Sequence, residues 1–211
     1  MNSSYERFES LGDNCEFSFF LRDQGIDNGS LFKWTLIKNY NSLLNLVKND
    51  FKNLYQLENL EPSWSDMVLD KENDICFHTE MFSDQVNGEW TWRYSSDKNK
   101  EIHNNETQKI NYLIEKIRKS IVNEEKIFVV KRNDNTIDTE VLELSEYLST
   151  IGACKILYVK SSNTDSQLGN IEKHSDNLYV SYITRFADYS TADNYSKEGW
   201  ELIINNALEV M

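Results

Sequence analysis

The second half of the chain alternates short apolar segments with amphipathic ones, and this alternation limits the possible folds more than any other feature of the sequence. Three apolar runs have the length of a buried strand: KIFVV (126–130), KILYV (155–159) and LYVSYI (178–183). Three amphipathic segments carry apolar residues at helical spacing: 106–122, 138–150 and 197–210. Apolar strands separated by helices are typical of parallel sheets that are covered on both faces. The sequence therefore predicts an α/β fold of three layers, with a mostly parallel sheet and helices on both faces.

The first half of the chain has a less regular pattern. We predict these elements there: a strand over 5–11, a helix over 15–24, an apolar stretch over 30–37, a helix over 40–55, and strands over 66–70 and 75–79. Residues 82–105 are predicted to form a polar loop that contains an aromatic strand, EWTWRY (89–94). The chain contains no internal repeat and no long low-complexity segment. Its length suits one hydrophobic core, so residues 1–211 are predicted to form a single α/β domain.

Composition excludes several classes of partner. The formal net charge is −13, from 22 basic and 35 acidic residues, so the surface repels phosphate backbones and anionic lipid, and we expect no nucleic acid partner. Membrane insertion is not expected either, because no apolar run reaches the roughly 18 residues that a membrane helix needs. The first ten residues lack the pattern of a secretory signal. The three cysteines are an odd number without CxxC spacing, which argues against a disulfide framework or a zinc site. We therefore expect a cytoplasmic protein without metal or cofactor.

The motif S-L-G-D-N-C-E-F at 10–17 is the first candidate for chemistry. Gly12 is predicted to end a strand, Asp13 or Asn14 to cap the following helix, and Cys15 to lie in the first helical turn. Free backbone N–H groups and the helix dipole stabilise a thiolate at such a position. The same N–H groups, with the Asn14 side chain, are candidate donors to an oxyanion. The alternative is that Cys15 is a small apolar residue packed in the core.

A nucleophilic cysteine needs a base, and His78 is the best-placed histidine. It follows the apolar segment ICF (75–77), at the end of a predicted strand, where α/β proteins place reactive groups. Asp74 and Glu80 are nearby candidates to orient its imidazole, whereas His103 is predicted to be solvated in the polar loop. A purely structural role for His78 stays open. A metal pair of Cys76 and His78 lacks further ligands.

Aromatic and basic residues near strand ends are candidate ligand contacts. Trp90 and Trp92 alternate on one face of the aromatic strand, which indicates either a stacking platform for a ring or a strand that covers the core. Polar or basic clusters follow three predicted strands, among them Arg132 or Asn133 after KIFVV and Arg185 after LYVSYI, and the carboxyl ends of these strands define one edge of the sheet. Trp34 lies in the apolar stretch over 30–37. A substrate-binding crevice at this sheet edge is predicted to use some of these residues: Gly12, Asp13, Trp34, Trp90, Trp92, Arg132 or Asn133, and Arg185.

Several motifs, in the same order along nearly the whole chain, resemble one bacterial family. These are the LGDNCEF motif, the segment LFKWTLI (31–37), the strand that ends in FHT (77–79), KIFVVKRN (126–133), YITRFA (182–187) and the late Trp200. The family is assigned to the papain-like cysteine peptidases and occurs with genes for sugar polymers and glycosyltransferases. The resemblance implies functional roles for Gly12, Cys15 and His78, and a place in surface-polysaccharide metabolism. A papain-like site would also need an Asn or Asp that orients the histidine, and the sequence does not identify it.

Two hypotheses about function follow from these observations. The first is a cysteine-dependent hydrolase or acyltransferase, with a Cys15–His78 dyad that acts on a small-molecule or carbohydrate substrate. The second is a non-catalytic module that binds a sugar or a sugar nucleotide during polysaccharide assembly, with Cys15 packed in the core. The sequence makes no prediction about the oligomeric state.

Overall fold

The computed structural model describes residues 3–37, 39–123, 126–132 and 139–211. These residues form eleven strands and five α-helices. The strands are β1 (Phe8–Ser10), β2 (Thr35–Ile37), β3 (Leu60–Trp64), β4 (Met67–Asp70), β5 (Ile75–His78), β6 (Ser83–Val86), β7 (Glu89–Trp92), β8 (Ile127–Lys131), β9 (Lys155–Ser161), β10 (Glu172–Lys173) and β11 (Leu178–Ile183). The helices are α1 (Glu16–Asp23), α2 (Tyr40–Lys48), α3 (Ser96–Val122), α4 (Thr139–Ile151) and α5 (Lys197–Val210).

The central sheet has five strands in the order β1-β8-β9-β11-β10. Strands β1, β8, β9 and β11 are parallel to one another, and β10 is antiparallel to β11 at the edge. The predicted α/β fold with a mostly parallel sheet is therefore confirmed. Strand β8 is buried at all five positions because it lies inside the sheet and both of its faces are covered.

Each face of the central sheet packs against its own hydrophobic core. Alternate residues of β8 point to opposite faces: Ile127 and Val129 to one, Phe128 and Val130 to the other. The first face packs against apolar side chains of α1 and α5, including Phe17 and Trp200. The second face packs against apolar side chains of α2, α3 and α4. Helices thus cover both faces.

A second sheet and a separate hairpin are features that the sequence did not predict. Strands β2-β5-β4-β3 form an antiparallel sheet of four strands, and β6-β7 form a two-stranded sheet. The motif loop, residues 11–15, links the second sheet to the central sheet, because the Ile37 N–H donates to the Asp13 carbonyl at 2.9 Å. The second sheet carries β5, and therefore His78, to the loop that precedes α1.

Three sequence-based boundaries were wrong. Residues 3–7 form a 3-10 helix, so the first strand covers only Phe8–Ser10. Helix α2 ends at Lys48 because Asp50 and Phe51 adopt positive φ angles. The expected loop over 82–105 contains a hairpin with a turn at Asn87–Gly88, both at positive φ, and the first ten residues of α3.

Candidate functional site

Backbone geometry requires the glycine of the LGDNCEF motif. Gly12 has a φ of +97°, in the left-handed region, and follows Leu11, whose N–H donates to the Val129 carbonyl at 2.9 Å. A Cβ atom at position 12 would lie only 2.4 Å from Ile37 Cδ1. The next residue, Asp13, also has a positive φ of 65°. The motif is therefore a tight turn against the second sheet, and Gly12 serves the turn.

Helix α1 begins directly after Cys15, which is its N-cap residue rather than a member of the first turn. The Asn14 side chain binds the start of the helix: its Oδ1 accepts from the Glu16 N–H at 3.0 Å. Asn14 Nδ2 is buried and has no hydrogen-bond partner among the described residues. The predicted N-cap at Asp13 or Asn14 was therefore wrong, because Cys15 holds that position; Asn14 binds the first helical N–H from the residue before the cap, and one of its buried donors is unused.

A buried charge cluster of Asp13, Glu16 and Lys131 binds the motif to the end of β8. Lys131, the last residue of β8, places its Nζ 2.9 Å from Asp13 Oδ2 and 3.1 Å from Glu16 Oε2. The Tyr189 hydroxyl donates to Asp13 Oδ1 at 2.8 Å, and the Trp200 Nε1–H donates to Glu16 Oε1 at 3.0 Å. Because the two carboxylates flank Asn14 and Cys15 in the chain, the cluster fixes the position of the cysteine. Asp13 thus stabilises the turn, and its side chain does not line the pocket beside Cys15.

Cys15 and His78 line the same pocket, which has a volume of about 620 Å³. The second sheet provides Leu36, Met67 and His78, and the start of α1 provides Asn14 and Cys15. The segment between β11 and α5 closes another side with Tyr189, Ser190, Ala192 and Asp193. The structure therefore brings together three of the predicted residues: Asn14, Cys15 and His78.

Asp66 is the carboxylate that orients His78. Its Oδ2 lies 3.1 Å from His78 Nδ1, and Asp66 lines the same pocket. The backbone carbonyl of Asp66 accepts from the Thr79 N–H at 2.9 Å, which fixes Asp66 beside the end of β5. Sequence proximity had indicated Asp74 or Glu80, and this expectation was wrong because the β4–β5 hairpin folds residue 66 back onto residue 78.

The Cys15 thiol is nearly buried, with 8% of the residue exposed. Its Sγ donates to the Thr35 carbonyl at 3.8 Å. Burial raises the pKa of Cys15 to about 11; the Lys131 ammonium opposes this increase and the Asp66 carboxylate adds to it. At neutral pH the thiol is therefore protonated, and it needs a base before it can attack an electrophile.

The remaining predicted contacts do not line the pocket that holds Cys15. Trp34 lines a different cleft and packs its ring edge-on against Phe19, at 5.1 Å between centroids. Trp90 and Trp92 lie half-buried in the β6–β7 hairpin. Arg132 lies over the Tyr40 ring at 5.5 Å, and the Arg185 guanidinium donates to the Asn194 carbonyl at 2.9 Å. Asn133 lies outside the described residues.

Neither of the other two histidines lines this pocket. His103 is part of α3, where its Nε2 lies 2.8 Å from the Tyr55 carbonyl and its ring stacks on Tyr55. The prediction that it is solvated in a loop was therefore wrong. His174 is exposed between β10 and β11, and its backbone N–H donates to the Leu178 carbonyl at 2.9 Å.

Sequence reasoning missed four residues of the site: Trp64, Asp66, Lys131 and Tyr189. Trp64 and Tyr189 line the pocket and are 55% and 51% exposed. The segment SWSDM (63–67) offered one signal, because an exposed Trp and an Asp precede a strand that pairs with β5. Lys131 offered none, because a lysine after an apolar strand is normally solvated.

Comparisons with protein-family models, with curated proteins and with solved structures find no match to this chain. The resemblance to the papain-like family therefore stays a prediction. In the described part of the chain, no group of three or more His, Cys, Asp or Glu side chains is arranged to hold a metal ion. None of the helices described here has the length and apolar character needed to cross a membrane.

Proposed function

We propose that this protein is a cysteine-dependent acyl-transfer enzyme, a hydrolase or an acyltransferase, with Cys15 as nucleophile, His78 as base and Asp66 as the residue that positions His78. The observation that supports it is that Cys15 and His78 line one pocket, in which Asp66 binds His78 Nδ1 at 3.1 Å. This is the order of roles found in cysteine and serine acyl-transfer enzymes: nucleophile, base and orienting carboxylate.

Asp66 determines which nitrogen of His78 is basic. A carboxylate only accepts hydrogen bonds, so Nδ1 carries the hydrogen and Nε2 is left with a free lone pair. Nε2 then takes the Cys15 proton while the sulfur attacks the carbonyl carbon of the substrate. The raised pKa of Cys15 makes this proton transfer necessary, because little thiolate exists at neutral pH.

The unused donor of Asn14 suits the charge that develops during the attack. Asn14 Nδ2 is buried beside Cys15 and has no partner in the described structure. An amide donor next to the nucleophile stabilises the oxygen of a tetrahedral intermediate. Glu16 does not contribute its N–H, because Asn14 Oδ1 already accepts from it. We therefore assign the oxyanion contact to the Asn14 side chain.

The proposed reaction forms a thioester between Cys15 and the acyl group. The carbonyl carbon gains a bond to sulfur and loses its bond to the leaving oxygen or nitrogen, which takes the proton from His78. Water or another acceptor then attacks the thioester, gives its proton to His78, and releases Cys15 as a thiol. Through the family resemblance, we propose that the substrates belong to surface-polysaccharide metabolism.

The test is to locate an acyl group on the protein. We expect p-nitrophenyl acetate to add the mass of one acetyl group to Cys15, identified by peptide mass spectrometry. Cys15→Ala should lose this adduct, and the matched control Cys76→Ala should keep it, because Cys76 lies on β5 but does not line the pocket. Acetylation that is distributed over lysines, and is equal in all three proteins, would contradict the proposal.

A non-catalytic binding role is the second candidate, and the exposed Trp64 favours it. A large aromatic ring at a pocket mouth is a typical surface for stacking a sugar ring, and the neutral, nearly buried thiol suits a packed residue. This candidate predicts unchanged sugar binding in Cys15→Ala, measured by calorimetry, together with no acetylation of Cys15 in the parent protein.

A further inference from the structure

A second cleft adjoins His78. It has a volume of about 310 Å³ and lies between the second sheet and α3. His78 lines this second cleft and also the pocket that holds Cys15. A group bound at the His78 end of the second cleft is therefore next to the base that the proposed reaction uses twice, first to accept and then to donate a proton.

The walls of the second cleft combine apolar and polar surfaces. Leu31, Phe77 and Leu113 form its buried apolar part, and the half-exposed Trp34 ring adds an aromatic edge. Glu106 is fixed in place: its carboxylate accepts from the Tyr55 hydroxyl at 2.8 Å and from the Glu80 N–H at 2.7 Å. Apolar walls with a few fixed polar groups are typical of sites for small molecules.

The charges around the second cleft balance. Lys33 and Lys109 are the basic residues among its described lining, and Asp27 and Glu106 are the acidic ones. A lining with equal numbers of both signs favours an uncharged ligand that presents hydroxyl groups, which accept from ammonium groups and donate to carboxylates. The aromatic edge and the apolar wall suit the C–H face of a sugar ring.

We propose that the second cleft binds a neutral hydroxyl-bearing acceptor, a sugar or polyol, which receives the acyl group from Cys15. The acceptor oxygen attacks the thioester carbon and its proton goes to His78 Nε2. The carbon–sulfur bond then breaks, and Cys15 takes that proton back as a thiol. The product is an O-acyl ester, and no oxidant or cofactor is consumed. This inference rests on the proposed function and makes the protein a transferase rather than a hydrolase.

The first arm of the test uses the parent protein. Cys15 is acetylated with p-nitrophenyl acetate, and methyl glycosides of glucose, galactose and N-acetylglucosamine, and glycerol, are added separately as acceptors. We expect at least one of them to form an acetyl ester at a rate that saturates with its concentration, whereas ethanol reacts without saturation. If every acceptor reacts without saturation, or if only acetate forms, the acceptor site is overturned while the acyl-enzyme stands. If Cys15 is not acetylated, the proposed function fails and this inference fails with it.

The second arm of the test places a larger side chain at Gly29, an exposed residue that lines the second cleft, so that the side chain fills the cleft. A Cβ at Gly29 would lie 3.6 Å from Leu113 Cδ2, an ordinary contact that points a larger side chain toward the cleft. We expect Gly29→Trp to lower the ratio of transfer to hydrolysis at least tenfold relative to the matched control Gly29→Ala. Release of p-nitrophenol, measured in the same reaction, reports whether each variant is folded and acetylated. An unchanged ratio of transfer to hydrolysis in an acetylated Gly29→Trp protein would overturn the inference. Saturation of the transfer rate with acceptor concentration in the parent protein is a second measurement, which does not depend on this variant.

Discussion

Replacing Gly12 with alanine should destabilise the fold through two separate effects. The first is backbone strain, because Gly12 has a φ of +97°, a region that costs an L-residue roughly 1–2 kcal/mol. The second is a clash, because the added Cβ would lie 2.4 Å from Ile37 Cδ1 and 2.8 Å from Ile37 Cγ1. Overpacking of this kind costs about 1–3 kcal/mol. We therefore expect Gly12→Ala to lose about 2–5 kcal/mol of unfolding free energy in urea denaturation followed by circular dichroism.

Gly88 provides the matched control for the backbone effect. Its φ is +90°, close to that of Gly12, but a Cβ there would meet nothing within 4 Å. Gly88→Ala should therefore lose only the strain, roughly 1–2 kcal/mol. Ile37→Val removes the Cδ1 atom that causes the closest contact, so Gly12→Ala should cost less in the Ile37→Val background. Equal losses for Gly12→Ala and Gly88→Ala, or no coupling to Ile37→Val, would refute the clash.

Three further predictions concern charged residues. Lys131→Met leaves the two buried carboxylates of the charge cluster without their ammonium, and we expect urea denaturation to show that the free energy of unfolding falls by about 3–5 kcal/mol. A fall below about 1 kcal/mol would show that the cluster contributes little to stability. Burial raises the pKa of Glu9, against the opposing charges of Lys116 and Lys126, so the folded protein holds this proton at a pH where the unfolded chain has lost it. Stability should therefore fall as pH rises above about 4.5 and through the raised pKa, and Glu9→Gln should flatten that fall in denaturation curves; parallel pH profiles for the two proteins would contradict this. Asp66→Asn should slow the acetylation of Cys15 about tenfold, which is less than the roughly 10²–10⁴-fold that a positioned base contributes, and should change the pH profile of that rate. A rate equal to that of the parent protein would show that Asp66 has no role in the site.

The parallel strands β8, β9 and β11 of the central sheet could be predicted because apolar residues dominate them. Such runs are unambiguous when helical periodicity flanks them, and the predicted strand over 178–183 matches Leu178–Ile183. The start of α3 could not be predicted in the same way. Its first turns are polar except for Ile102, and Ser95, whose Oγ accepts from the Lys98 N–H, starts the helix without an apolar pattern.

The candidate site was only partly readable because its partners meet through strand pairing. Cys15 and His78 stood out by residue type and by their position at element ends. Asp66 reaches His78 only through the register of β4 and β5, in which Met67 pairs with His78. Likewise, the burial of Lys131 depends on the parallel pairing of β1 with β8, which places the end of β8 beside the turn at Asp13. Long-range pairing of this kind leaves no local signal.

The rate at which Cys15 is acetylated with and without its base tests the central claim most directly. The burst of p-nitrophenol is followed by stopped flow at neutral pH for the parent protein and for His78→Ala. We predict that removal of the base lowers the acetylation rate about 10²–10⁴-fold. Acetylation of Cys15 at the same rate in both proteins would contradict the Cys15–His78–Asp66 mechanism.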